Sequence, residues 1–118
     1  MRRVSAPSAG KPSAASKGAI EALSLGIAAY YAPHGIRVNV IAPSLVATSM
    51  SRRAQSDEET LAYTATKQPL ARGPMQPDDL VGTALYLLSD DARMVTGQIV
   101  NVDAGWAISE GQRPTESA

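Results

Sequence analysis

"GIRVNVIAPS" (residues 35–44) alternates Ile36, Val38 and Val40 with Arg37, Asn39 and Ile41, and Pro43 stops it. β-Branched residues at a period of two, bounded by Gly and Pro, read as a strand. What precedes it is the longest helical pattern of the chain, running unbroken from Ser13 to about Tyr31, with Pro12 suited to its first turn and Pro33 and Gly35 ending it. At 100° per residue, Ile20, Leu23, Ile27 and Tyr30 form one apolar stripe of that helix, and Ala15, Ala19, Ala22, Gly26 and Ala29 a second stripe of small side chains. So wide an apolar surface predicts packing on a sheet with one side and closely against another helix with the other.

Downstream, Ser56 with Glu59 predicts a capping box for a helix over 57–67. "QPDDLVGTALYLLSDDA" (76–92) starts another, with Pro77 at its first position, two acids in its first turn, and Leu80, Val81, Ala84, Leu85 and Leu88 as its core face. "TGQIVNVDAG" (96–105) supplies a second strand between Gly97 and Gly105. Strands joined by helical crossovers form parallel sheets, which need both faces covered and several strands. Two strands cannot satisfy that, since even an antiparallel pair is marginal by itself. The chain therefore reads as half of an α/β domain whose remaining strands come from elsewhere.

Composition narrows the chemistry. The 118 residues carry 11 basic and 11 acidic side chains, so no net positive field recruits nucleic acid or anionic lipid. No apolar run approaches the roughly 20 residues of a membrane span, and the first residues lack the apolar core of a secretory signal, so a cytoplasmic protein is expected. The opening "MRRVSAPSAGKPSAASKG" is basic and rich in Ser and Ala, as transit peptides are, but has no amphipathic apolar face. Residues 1–12 and 110–118 read as a polar leader and tail around a domain at 13–109. Zero cysteines exclude disulfides, thiolate metal sites and cysteine nucleophiles, and a single histidine leaves little for zinc, so no metal is expected.

From Ser13 to about Ser109 the chain resembles the C-terminal half of a short-chain dehydrogenase/reductase. The resemblance rests on four stretches in the family's order and spacing: "SAASKGAIEAL", "HGIRVNVIAPSLVATSM", "QPLARGPMQPDDLVGTALYLLSDDA" and "VTGQIVNVDAG". It implies an α/β fold, the C-terminal portion of a Rossmann-like doubly wound parallel sheet. Two strands and three helices of that sheet are expected here, without the N-terminal βαβ dinucleotide half. It also implies an NAD- or NADP-dependent oxidoreductase acting on an alcohol or ketone.

In that family the catalytic helix begins Tyr-x-x-x-Lys. The phenol exchanges a proton with the substrate, while the lysine binds the nicotinamide ribose and tunes the phenol; four residues on a helix place both on one face. Lys17 stands at the lysine position and Ser13 at the tyrosine position. An aliphatic hydroxyl is a far weaker acid than a phenol and has a shorter reach, so proton transfer should be impaired. A serine before the catalytic helix polarises the same carbonyl in the family; Ser5, eight residues before Ser13, is the candidate counterpart, with Ser8 the other. The family's Pro-Gly-x-Val-x-Thr loop appears as Pro43, Ser44, Leu45, Val46, Ala47, Thr48. Backbone groups near Val46 would meet the carboxamide, and the Thr48 hydroxyl a phosphate. Ser44 replaces the usual glycine, raising the cost of any positive φ there, and Ala104 makes a similar swap at the last strand's exit.

"YTATK" (63–67) also matches Tyr-x-x-x-Lys, but no strand leads into it and Pro69 closes it; it reads as an amphipathic lid helix with a solvated lysine. His34 reads as a surface turn residue, Asn39 as serving its strand, and Trp106 as half-buried packing or a subunit contact. Without the family's glycine-rich turn, no helix N-terminus is available for the pyrophosphate, so the fragment is expected to be inactive by itself. The alternatives are a non-catalytic subunit that associates with a full-length relative through the small-residue stripe, or a truncated reading frame; a homo-oligomer or association with a full-length relative is the expected assembly.

Overall fold

Helix α1 (Pro12–Tyr31) opens the computed structural model, which describes residues 12–109. Pro33 ends the helical run as a single turn of 3₁₀ helix, and Gly35 closes it at φ 76°, its N–H donating to the Ala32 carbonyl at 3.0 Å. After strand β1 (Val40–Pro43) come a 3₁₀ turn (Ser49–Ser51), the short helix α2 (Arg52–Gln55), helix α3 (Glu58–Lys67), helix α4 (Asp78–Leu88) and strand β2 (Ile99–Val102). β1 and β2 lie side by side in parallel, joined by helical crossovers, so the α/β class read from the pattern holds.

The strands are shorter than the alternation predicts, and the reason lies in side chains. Ahead of β1, Val38 N–H donates to Thr96 Oγ1 at 3.1 Å rather than to a backbone carbonyl. The Asn39 amide donates to the Val95 carbonyl at 3.0 Å and accepts from Gln98 N–H at 3.1 Å. Ladder pairing interleaves only at Gly97 N–H to Val38 O and Val40 N–H to Gln98 O, both at 2.8 Å. Asn39 thus serves its strand as read from the sequence, by imitating the backbone of a missing ladder step.

The described residues divide into two units, residues 12–40 with 95–99 and residues 41–94 with 100–109. In the first, α1 turns inward the face that carries Glu21, Ser24 and the buried Ala28, whose Cβ would meet a Cβ built on Gly97 at 3.9 Å. The expected apolar stripe is left in solvent: Ile20, Leu23 and Tyr30 are 58%, 64% and 71% exposed. A Cβ on Gly97 would be in ordinary contact with Ala28, so among the described residues the segment 95–99 approaches α1 on this face and not on the wide apolar stripe.

In the second unit, residues 45–47 pair with Met75 through Ala47 N–H to Met75 O (2.7 Å) and Met75 N–H to Leu45 O (2.9 Å). Met75, Leu87 and Ala92 are its buried apolar side chains among the described residues. The α4 core face therefore centres on Leu87, and the expected Val81, Leu85 and Leu88 are exposed. The cap of α3 also differs from expectation. Asp57, not Ser56, stands at its N-cap and accepts from Glu59 N–H, while the Ser56 hydroxyl donates to the Arg53 carbonyl. A carboxylate has acceptors only and carries the charge the helix dipole favours, so it takes the cap from the neighbouring hydroxyl.

Candidate functional site

The sequence-expected residues fall on different parts of the chain. Ser5 and Ser8 lie outside the described residues. Ser13 is in the first turn of α1 and Lys17, exposed to solvent, one turn later. Both belong to the first unit, whereas Pro43, Val46 and Thr48 line the loop that leaves β1 in the second.

That loop is tightly determined. Thr48, at φ −129° and ψ 172°, caps the turn Ser49–Ser51, and its N–H donates to Ser51 Oγ at 2.9 Å. The Ser51 hydroxyl lies 2.5 Å from the Val46 carbonyl, and the Gln55 amide donates to the Thr48 carbonyl at 2.9 Å. Exposed Thr48 and half-buried Val46 thus sit on a backbone held at both ends of the turn.

At the start of the loop, Ser44 does not take the positive φ that the family's glycine suggested; the non-glycine residues with positive φ among those described are Arg72 and Ala104. Its hydroxyl instead bonds to the side-chain carbonyl of Gln68 and lies 3.2 Å from the Asp103 carbonyl. Gln68 is fully buried just beyond α3. Its Oε1 accepts from Leu45 N–H at 2.7 Å, and its Nε2 donates to the carbonyls of Gly73 (2.7 Å) and Leu45 (3.2 Å). Sequence reasoning passed over this residue; its one signal is a polar side chain at a helix end directly before the Pro69 that closes the element.

"YTATK" lies on α3, and its lysine is half-buried and partnered rather than simply solvated. Lys67 Nζ donates to the Ser109 carbonyl and stands 5.8 Å from the centre of the Trp106 ring, the range of a cation–π contact. Tyr63 meets the same indole edge-on at 5.9 Å. The Ser109 hydroxyl donates to the Thr66 carbonyl at 2.9 Å. Tyr63 and Lys67 are thereby committed to the segment that follows β2, and Trp106 is the half-buried packing residue between them.

A cleft of about 500 Å³ runs along β2, with Val100 to Gly105 on one side and Leu70, Met75, Asp79 and Thr83 among the residues opposite. Among the described residues, Lys17, Pro43, Val46 and Thr48 do not line it. Its carboxylates are already engaged: Asp79 accepts from Gln76 N–H, and Asp103 accepts from the N–H groups of Gly105 and Ala107 at 3.0 Å each. Among the described residues no three His, Asp or Glu side chains gather to hold a metal ion, and no helix is long and apolar enough to cross a membrane.

Comparison with known proteins places this geometry. The model of a family described as enoyl-(acyl carrier protein) reductase matches residues 2–107. Gluconate 5-dehydrogenase of Gluconobacter oxydans is 37% identical over 98 residues, which cover 83% of this chain and 38% of that protein. The chain thus spans little over a third of that relative's length. Among solved structures, a gluconate 5-dehydrogenase from Burkholderia cenocepacia in complex with NADP and tartrate superposes with a TM-score of 0.78 at 34% identity, covering 82% of this chain and 38% of that one. A short-chain type dehydrogenase/reductase from Mycobacterium ulcerans gives 0.74 at 33% identity, covering 79% and 34%. With matching stretches, strand and helix order, and family model in agreement, this chain belongs to the short-chain dehydrogenase/reductase family.

Proposed function

We propose that this chain carries the nicotinamide end of an NAD(P)-dependent oxidoreductase acting on a small alcohol or ketone, and that it lacks this activity by itself. The observation that carries the reading is the ordered loop from Pro43 to Thr48 at the carboxyl end of a parallel strand, where doubly wound sheets receive their ligands. Val46 and Thr48 would face the nicotinamide end of the cofactor, and Lys17 its ribose. The described residues suit that end alone: the turn after β1 contains no glycine, and β2 runs into a 3₁₀ turn of three residues rather than a helix whose N-terminus could take a pyrophosphate. When bound, the cofactor supplies or accepts a hydride. The chain's own part would be to orient the ring and move a proton at position 13, where a serine hydroxyl is a poor acid. The name of the gluconate 5-dehydrogenase relatives makes polyhydroxy acids the first substrates to try.

The test places the N-terminal portion of such a relative ahead of this chain. The fusion is expected to bind NADPH saturably where the 118-residue chain does not, and Ser13→Tyr in the fusion should raise turnover about a hundredfold or more, the usual worth of a positioned acid. A fusion that binds no reduced nicotinamide, or a Ser13→Tyr variant with unchanged turnover, would sink the reading. A second reading, a non-catalytic cytoplasmic subunit that associates with a full-length relative, is favoured by the exposed stripe Ile20, Leu23 and Tyr30. Its sign is a relative that co-elutes with the chain on gel filtration; separate elution counts against it.

A further inference from the structure

Gln68 is fully buried, and glutamine is seldom so unless each of its polar atoms is matched. Here each is: Oε1 takes Leu45 N–H and the Ser44 hydroxyl, while Nε2 gives its two protons to the Leu45 and Gly73 carbonyls. Three of these four bonds go to the loop that leaves β1, 23 or 24 residues away in sequence. None of them extends α3, which ends at Lys67. An apolar side chain of similar volume would fill the space at lower desolvation cost, so what the amide adds is direction: it dictates where the backbone of Leu45 lies. Ser44 belongs to the same device, because its hydroxyl reaches both Gln68 and the Asp103 carbonyl at the exit of β2. A glycine at position 44 could make neither contact.

We propose that Gln68, acting with Ser44, is the positioning residue that fixes the backbone of the Pro43–Thr48 loop. That the fixed loop presents Val46 and Thr48 to a nicotinamide cofactor rests on the function proposed above; the fixing itself does not. The departure from glycine at Ser44 is then half of a matched polar pair whose other half is Gln68.

The experiment compares amide-exchange protection in the full chain with that of Gln68→Leu, Gln68→Glu and Ser44→Gly. In Gln68→Leu, protection at Leu45 and Ala47 should fall about tenfold to a hundredfold, the range carried by one or two buried hydrogen bonds, with Leu87 in α4 changed less than about twofold. Equal loss at Leu45 and Leu87 overturns the proposal, since Gln68 would then hold the whole unit rather than the loop, and so does unchanged protection at Leu45. A glutamate at 68 faces two carbonyl oxygens that favour its protonated form, raising its folded pKa. The loop should therefore be restored below the unfolded carboxyl value of about 4.3 and loosen as pH rises through the folded one. A Gln68→Glu variant that tracks Gln68→Leu at every pH also overturns the proposal, and this arm survives if the leucine variant fails to fold. Ser44→Gly should show a smaller loss confined to the same amides. In the fusion with a relative's N-terminal portion, Gln68→Leu is expected to raise the Kd for NADPH about tenfold by the same bonds. A loosened loop with unaltered NADPH affinity would leave the positioning role standing and refute the cofactor reading of the loop.

Discussion

Ala104 and Gly105 show how much one side chain matters at the exit of β2. Ala104 sits at φ 53° and Gly105 at φ 97°, and the Ala104 carbonyl accepts from Leu70 N–H at 3.1 Å. A Cβ in the left-handed region costs about 1–2 kcal/mol, partly offset in the unfolded chain when glycine replaces alanine. Ala104→Gly is therefore expected to raise stability by about 0.5–1 kcal/mol, read as a higher urea midpoint. At Gly105 an added Cβ would meet Pro69 at 3.3 Å on top of the backbone strain, so Gly105→Ala should lower stability by about 2 kcal/mol. Adjacent positions with opposite responses would confirm that the turn, not the composition of the segment, sets the sign. The sequence motif "VDAG" marked the swap at 104; the sign of φ at 104 and its absence at Ser44 came only from the backbone path.

At the scale of elements, helices and strands were legible and their boundaries and faces were not. The 3.6-residue period located α1 and α4, and a capping signal α3, but which stripe faces inward depends on what is present to cover it. In α4 Leu87 is the buried position, and in α1 Ala28 is. The cap of α3 makes a direct test. Asp57 accepts from Glu59 N–H at 3.2 Å and from the Thr60 hydroxyl at 2.6 Å. Asp57→Ala should cost about 1 kcal/mol, and Ser56→Ala, whose hydroxyl only returns to the Arg53 carbonyl, a few tenths at most. Comparable losses at both positions, measured by chemical unfolding, would restore the serine as cap. The shortened strands teach the same lesson: Asn39 and Thr96 are good strand residues by pattern, yet their side chains occupy ladder positions that regular pairing would have used.

For the whole molecule the decisive quantity is apolar surface left uncovered. The buried apolar side chains among the described residues are Ala28, Met75, Leu87 and Ala92, while Leu23, Tyr30, Leu85 and Leu88 are among the exposed ones. Folding driven by apolar burial gains little from so few, so we expect the chain alone to bind a hydrophobic dye such as ANS and to unfold with a urea m-value below about 1 kcal/mol/M. Adding the N-terminal portion of a relative should abolish dye binding; a chain that excludes dye by itself would show that its apolar faces are already covered. The sequence by itself determined the family and the α/β order of elements, because these depend on residue identity, local period and spacing. Only the tertiary structure decided which faces are buried, that Ser44 is bonded to Gln68 and that Lys67 is held against Trp106. Those outcomes depend on which distant segments meet: a buried polar group must find its partner in space, and nothing in its local sequence says where that partner is.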